Sequence, residues 1–434
     1  MARLATVRTF KDVALSPDGT HVAWVQSLPE KKDAPERFAI YVADLRSPAA
    51  APRRISAGDG TTEQDEHDLA WSPDSRRIAF LSDRAKKEQL QLYVTGVAGG
   101  KATRLTDLTG FLAAPRWSPD GKSLAFLFTE NAPRAAGPVQ PAAPEVGVIG
   151  ERVYEQRVAL LDQATGRVRQ LTPADLYVYE YDWSPDGKRF AAIAAPGDGD
   201  NNWYVAGLYA VAVASGETRR ILKPDMQIAV PRWSPDGNSI AFIGGLMSDE
   251  GIVGGEVFTV PAEGGTARNL TPGLKASASW LDWLPPSGHI LFTEHVDGAS
   301  GIASLDPADG RINTLWTGAE NIAAEGGAFS LSLAKDRQTS ALVRHSFRQP
   351  PEVWAGPTGA WKQVTHVNQD LHPAWGEAKS LHWKSDPFTV QGWLLYPRGY
   401  RADRKYPMVV FIHGGPASAK RPGWPVGNFD FTVL

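Results

Sequence analysis

The sequence predicts a mainly β protein, with a seven-bladed β-propeller over residues 1–370 and a segment of different character over 371–434. Three observations carry the propeller. The pentapeptide WSPDG occurs at 117–121, 183–187 and 233–237, with near copies LSPDG at 15–19 and WSPDS at 71–75. Seven segments share its register, starting at 15, 71, 117, 183, 233, 283 and 333, the last two as the degenerate forms WLPPSGHILF and LAKDRQTSAL. Each unit also has the length and turn signals for four short strands, the mark of propeller blades, which bury their faces only by stacking on one another.

Within a unit, a first strand ends at the Trp. Ser-Pro-Asp-Gly then makes a tight turn, with Pro presetting φ at its first corner, Asp suited to the second and Gly tolerating the exit. An alternating second strand follows, such as SLAFLF (123–128). Third strands are read at QLYVTGV (91–97), LYAVAV (208–213) and EVFTV (256–260). Gly-rich turns lead to fourth strands in AGGKATRLT (98–106), SGETRRIL (215–222), EGGTARNLT (263–271) and ADGRINTLW (308–316). Blade 1 has its own first strand and blade 7 its own last strand in WKQVT (361–365), so the ring is expected to close by face packing, without a strand exchanged between the termini. The five repeat tryptophans are expected to be buried between blades.

After residue 370 the pattern changes. SLHWKS (380–385) and TVQGWLLYP (389–397) read as a hairpin around Asp386-Pro387. MVVFI (408–412) is a continuous apolar run, the pattern of a strand covered on both faces in an α/β sheet, and it leads directly into His413-Gly414-Gly415-Pro416. A strand ending in an HGG-type turn can aim a backbone N–H into an oxyanion hole, and glycine lets the backbone turn sharply and approach a substrate closely.

SPDG-type blades followed by YPMVVFIHGGP resemble the prolyl oligopeptidase family of serine peptidases, in particular its acylaminoacyl-peptidase and dipeptidyl-peptidase-like branches, over the whole chain. The resemblance implies a propeller followed by the truncated start of an α/β-hydrolase domain, with the propeller gating access to short peptide substrates. It implies that the Gly415 N–H lies in the oxyanion hole, that Gly414 shapes the turn, and that His413 supports the turn and is not the catalytic base. No cofactor and no metal are implied. The chain departs from the family in one respect: no G-x-S-x-G occurs in its 434 residues. The Ser, Asp and His of a triad are therefore expected outside this chain, in the remainder of the hydrolase domain on the same or a second polypeptide. Residues 1–434 alone are expected to be inactive.

The insertion ENAPRAAGPVQPAAPEVGVIGERVYEQ (130–156) in blade 3 reads first as a loop. Family propeller loops can hold a substrate's amino terminus with acidic residues, which makes Glu145, Glu151 and Glu155 weak substrate-binding candidates beside the simpler reading of solvated charge. Glu180 and Asp182 are further carboxylates at a strand end. GDGDNNWY (197–204) lacks the oxygen spacing and the terminal Glu of an EF-hand loop. EQDEHD (63–68) reads as solvated surface. The nine His show no metal-binding pattern.

With 45 basic and 48 acidic residues the formal net charge is −3, which points to neither nucleic acid nor an anionic membrane. The chain has no cysteine, excluding disulfides and thiolate chemistry. The start MARLATVRTFKDVALS has no apolar signal core, and cytoplasm and periplasm both fit. Oligomeric state is open, a homo-oligomer included. Two rivals to the peptidase reading share these features: a non-enzymatic TolB-like binding propeller, which gives the HGGP segment no use, and an esterase of the same architecture.

Overall fold

The computed structural model describes residues 7–29, 37–57, 64–132, 154–197, 202–246, 255–324, 331–414 and 418–425. It holds seven four-stranded antiparallel sheets, each contiguous in sequence and ordered as in the chain. The blades span 10–55, 66–104, 110–170, 176–222, 228–269, 277–318 and 332–363. A separate two-stranded hairpin, Trp375–Ser385 with Phe388–Pro397, turns at Asp386, whose φ is +51°.

The turn explains why the pentapeptide recurs. In blade 3 the Ser118 hydroxyl donates to Asp120 Oδ1 at 2.7 Å and accepts the Ser123 N–H at 3.0 Å, while Asp120 Oδ1 also takes the Lys122 N–H at 3.1 Å. The Gly121 N–H returns to the Ser118 carbonyl at 2.9 Å, and its φ of +70° is one that a side chain would strain. The same bonds recur around Ser72, Ser184 and Ser234. Successive turns also touch: a Cβ on Gly187 would lie 3.4 Å from Pro119, and one on Gly121 would lie 3.6 Å from Pro73.

These serine hydroxyl bonds hold Asp74, Asp120, Asp186 and Asp236 below the ordinary carboxylate pKa. A depressed folded-state pKa contributes stability that is present above the unfolded value near 3.8 and is lost as pH falls through the folded value. The thermal midpoint of the chain is therefore expected to drop steeply below pH 3.8, and to drop less steeply once these four residues are Asn. Equal slopes in the two proteins would remove the turns from the acid response.

The repeat tryptophan joins blades. Trp71 Nε1 donates to the Ala14 carbonyl, Trp117 to Ala70, Trp183 to Arg116 and Trp283 to Arg232, at 3.0 to 3.3 Å. Each acceptor is the residue just before the repeat position of a preceding blade, so a large apolar ring fills the seam while its one polar atom crosses it. Trp233 is the exception, with its Nε1 buried and unpartnered. Trp117, Trp233 and Trp283 are buried as expected, whereas Trp71 and Trp183 are half-buried.

Seven apolar clusters fill the seven seams. The second strands correct the expectation of alternation. In Arg189–Pro196, Phe190, Ala192 and Ala194 face blade 3 and Ala191, Ile193 and Ala195 face blade 5. A sheet covered on both faces needs apolar residues at every position. The ring closes by the same face packing: Phe10, Val13 and Trp24 of blade 1 meet Ala341, Val343 and Val353 of blade 7. Asn368 adds a clasp, with its Oδ1 accepting the Arg8 N–H at 2.8 Å and its Nδ2 donating to the Arg8 carbonyl at 2.9 Å.

Candidate functional site

The first strands of successive blades touch one another, as Phe10–Leu15 touches Glu66–Trp71 and Glu66–Trp71 touches Gly110–Trp117, so these strands surround the axis. The residue just before the repeat Trp is Arg116, Asp182, Arg232 and Asp282 in blades 3 to 6. These side chains form one alternating arc of charge. Arg116 donates to Asp182 Oδ1 at 3.0 Å, Asp182 Oδ2 takes the Trp233 N–H at 3.2 Å, and Arg337 from the turn of blade 7 donates to Asp282. Burial pushes Asp182 up, against Arg232 and Arg116. Burial and the like charge of Arg116 push Arg232 down, against Asp182 and Asp282.

Two residues earlier, the first strands bulge. The pairing register slips there in six blades, and Asp68, Ala114 and Val230 have φ of +54°, +49° and +55°. A bulge leaves backbone N–H groups outside the ladder, and a carboxylate of the preceding blade takes them. Asp68 Oδ2 accepts the Ala114 N–H at 2.9 Å, and Glu180 Oε2 accepts the Val230 N–H at 3.0 Å. Glu180 and Asp182 thus hold blades together. Burial, and then the Asp68 carboxylate, push Asp12 up to about 7. Beside it, His67 Nδ1 lies 3.0 Å from Asp68 Oδ1. Burial is the largest single influence and disfavours the imidazolium, but the Asp68 bond and the charges of Asp68 and Asp65 together outweigh it and raise the His67 pKa.

At the end bearing the SPDG turns, blades 1, 2, 3 and 7 surround a cavity of about 480 Å³ lined by Trp71, Pro73, Arg116, Trp117, Lys335 and Arg337 among others. The hairpin sits at the opposite end. His382 Nε2 lies 2.6 Å from Asp297 Oδ1, at the turn between the second and third strands of blade 6, and Trp375 Nε1 donates to the Phe347 carbonyl of blade 7 at 2.7 Å. The second strand of blade 3 ends, and its third begins, at this end too. Glu145 and Glu151, between them in sequence, fall outside the described residues; Glu155 is half-buried next to Gln156–Asp162.

The run 408–412 departs from its expected form. It carries no strand, and its five side chains are 53 to 83% exposed. A strand needs ladder partners, and the two hairpin strands pair only with each other. His413 and Gly414 are exposed, with His413 Nδ1 lying 3.2 Å from the Gly414 carbonyl, and Gly415 falls outside the described residues. The carboxylates of the first strands and the described residues His413 and Gly414 are therefore separate groups. Sequence reasoning missed Asp12, Arg116, Arg232, Asp282 and Arg337, although PRW, YDW, PRW and LDW stand in register before the turns. Among the described residues no group of three or more His, Asp or Glu is placed to hold a metal.

Comparison with known proteins shows what this chain is similar to. No family model matches the chain. An uncharacterized peptidase of Bacillus subtilis, YuxL, is 28% identical over 446 residues, covering 95% of this chain and 66% of its own length. Dipeptidyl-peptidase 5 of Porphyromonas gingivalis is 23% identical over 459 residues, covering 96% of this chain and 64% of its own. This chain thus spans slightly less than two thirds of either relative. The uncomplexed acylaminoacyl peptidase of Pyrococcus horikoshii superposes with a TM-score of 0.70 at 15% identity, over 98% of this chain and 62% of that one, a likeness of fold. The chain thus forms a seven-bladed β-propeller, and its similarity to peptidases runs through blades, hairpin and tail alike.

Proposed function

We propose that this chain is the propeller-bearing portion of a serine peptidase that hydrolyses short peptides, of acylaminoacyl- or dipeptidyl-peptidase type. The propeller gates access to a hydrolase site whose triad lies outside the chain. The observation that carries the reading is the exposed apolar run 408–412 with its HGG turn, seated beyond a ring that is already closed. Met408, Val409, Val410 and Ile412, each about 70% exposed or more, form an apolar face open to a partner. The remainder of an α/β-hydrolase sheet, on the same or a second polypeptide, would pair this backbone and bury both faces. Residues 371–434 are then the linker, hairpin and first strands of that domain.

In this reading a serine from the missing region attacks the peptide carbonyl, and the Gly415 N–H stabilises the oxyanion, with Gly414 and His413 shaping the turn. The half-buried charge arc and the bulge-capping carboxylates hold neighbouring blades in one arrangement, which suits a passage that admits short peptides and excludes folded chains. A pure binding propeller leaves the 408–414 segment without a role.

The complete polypeptide is expected to cleave acylaminoacyl or dipeptidyl anilides and to label at one serine with a fluorophosphonate. Residues 1–434 alone are expected to do neither. Specific labelling of a serine within 1–434 would place the active site elsewhere, and a complete protein that hydrolyses esters but no peptide bond would replace the peptidase reading with that of an esterase.

A further inference from the structure

Blade 7 holds a second contact with the tail, 79 residues away along the chain. The Trp424 backbone N–H donates to His345 Nδ1 at 2.9 Å. A ring that accepts at Nδ1 and is neutral carries its proton on Nε2. Its backbone is tied to Asn321 by a reciprocal pair of bonds, 2.8 and 3.0 Å, and the Asn321 side chain accepts the Ala323 N–H at 3.0 Å. His345, Asn321 and Trp424 are each less than a tenth exposed.

The tail is shaped to this seat. Gly423 lies so close that a Cβ there would meet His345 Cε1 at 2.9 Å and Nδ1 at 3.1 Å. The Gly423 N–H turns back to the Arg421 carbonyl at 2.9 Å, and the Trp424 ring meets Trp375 edge-on at 5.0 Å. Trp375 in turn donates to Phe347, which packs against Trp393. Blade 7, both hairpin strands and the segment 421–424 thus meet at one buried point. Arg421 is only seven residues past Gly414.

We propose that His345 is a positioning residue: a propeller-borne anchor that fixes the segment following the HGG turn, and through it the geometry of that turn. The inference rests on the oxyanion reading above. A propeller that only covers an active site needs no buried, hydrogen-bonded attachment to this segment, whereas one that holds the oxyanion donor in place does. Burial and then the Arg421 charge lower the His345 pKa to about 4, which keeps Nδ1 an acceptor at neutral pH.

The test uses the complete polypeptide and the variants His345→Leu, His345→Asn and Gly423→Ala, with Gly415→Val as reference. Leu removes the acceptor, Asn places an oxygen where Nδ1 stands, and Ala forces the tail off the ring. His345→Leu and Gly423→Ala are expected to lower kcat by on the order of 10- to 100-fold, with KM within about twofold and the thermal melt of the blades preserved. His345→Asn is expected to recover most of the loss, which a purely packing role would not allow. Unchanged kcat in both His345→Leu and Gly423→Ala, with Gly415→Val impaired, overturns the anchor and leaves the oxyanion reading standing. Unchanged kcat in all of them overturns both. Should the variants fail to fold, amide exchange on 1–434 decides: the Trp424 N–H is expected to exchange slowly at pH 7, and rapid exchange there while the Ala23 amide stays protected would overturn the anchor.

Discussion

If the Gly415 N–H serves the oxyanion as proposed, valine at position 415 is expected to lower kcat of the complete polypeptide by on the order of 100-fold, more than it weakens substrate binding. The oxyanion exists only after the nucleophile has attacked, so a donor aimed at it stabilises the transition state and contributes little to substrate binding. Valine would keep the backbone N–H, so the expected loss comes from displaced geometry or a blocked approach, glycine being the residue that lets a backbone turn sharply and approach a substrate closely. The measurement is kcat and KM on a peptide anilide, with folding checked by thermal melt. A folded Gly415→Val enzyme with unchanged kcat would return HGGP to the status of an ordinary turn.

The second large effect concerns the closure of the ring. Trp24 is 1% exposed in the seam between blades 1 and 7, stacked on Tyr41 at 6.0 Å, with its Nε1 donating to Gln26 at 3.1 Å. Trp24→Ala removes the indole from a seam lined by Phe10, Val13, Val343 and Val353 and is expected to destabilise the chain by roughly 3–5 kcal/mol, the transfer free energy plus the cavity left behind. Among the described residues no strand crosses this seam, which is also held by the Asn368 clasp, the Leu15 N–H to Ser332 Oγ at 3.0 Å and the Lys335 N–H to the Pro17 carbonyl at 2.8 Å. Trp71→Ala, at a half-buried indole, is expected to cost less. Urea unfolding of 1–434 measures both, and a loss below about 1 kcal/mol for Trp24→Ala would show that the seam does not depend on this packing.

What was legible in the sequence has a common physical form. The Ser and Asp side chains at the core of the SPDG turn close their hydrogen bonds within six residues, so this chemistry recurs wherever those letters do. The hairpin is marked by Asp386 at its corner and by alternation on either side. Seven copies of one local unit, each with two apolar faces, leave little choice but a ring. The second strands were misread as alternating because SLAFLF and its relatives are apolar at almost every position, and only the presence of a neighbour on each side shows that both faces are inside.

The charge arc is an intermediate case. PRW, YDW, PRW and LDW can be aligned by eye, but nothing local says that Arg116 reaches Asp182 across 66 residues of chain. That contact exists because the first strands converge on an axis. The run 408–412 shows the reverse: its letters specify a strand, yet a strand is a property of its neighbours, and the hairpin does not supply them.

The sequence by itself thus determined the repeat, the turn chemistry, the number of blades and the resemblance to a peptidase family, since each of these is written in windows short enough for backbone sterics and local hydrogen bonds to decide. The tertiary structure alone decided which carboxylates cap which bulges, how blade 7 meets blade 1, and that His345 receives the Trp424 N–H. These depend on closing a ring. Once seven sheets pack face to face, residues far apart in the chain are forced into contact, and their buried polar groups must be satisfied by whichever partner the closure brings.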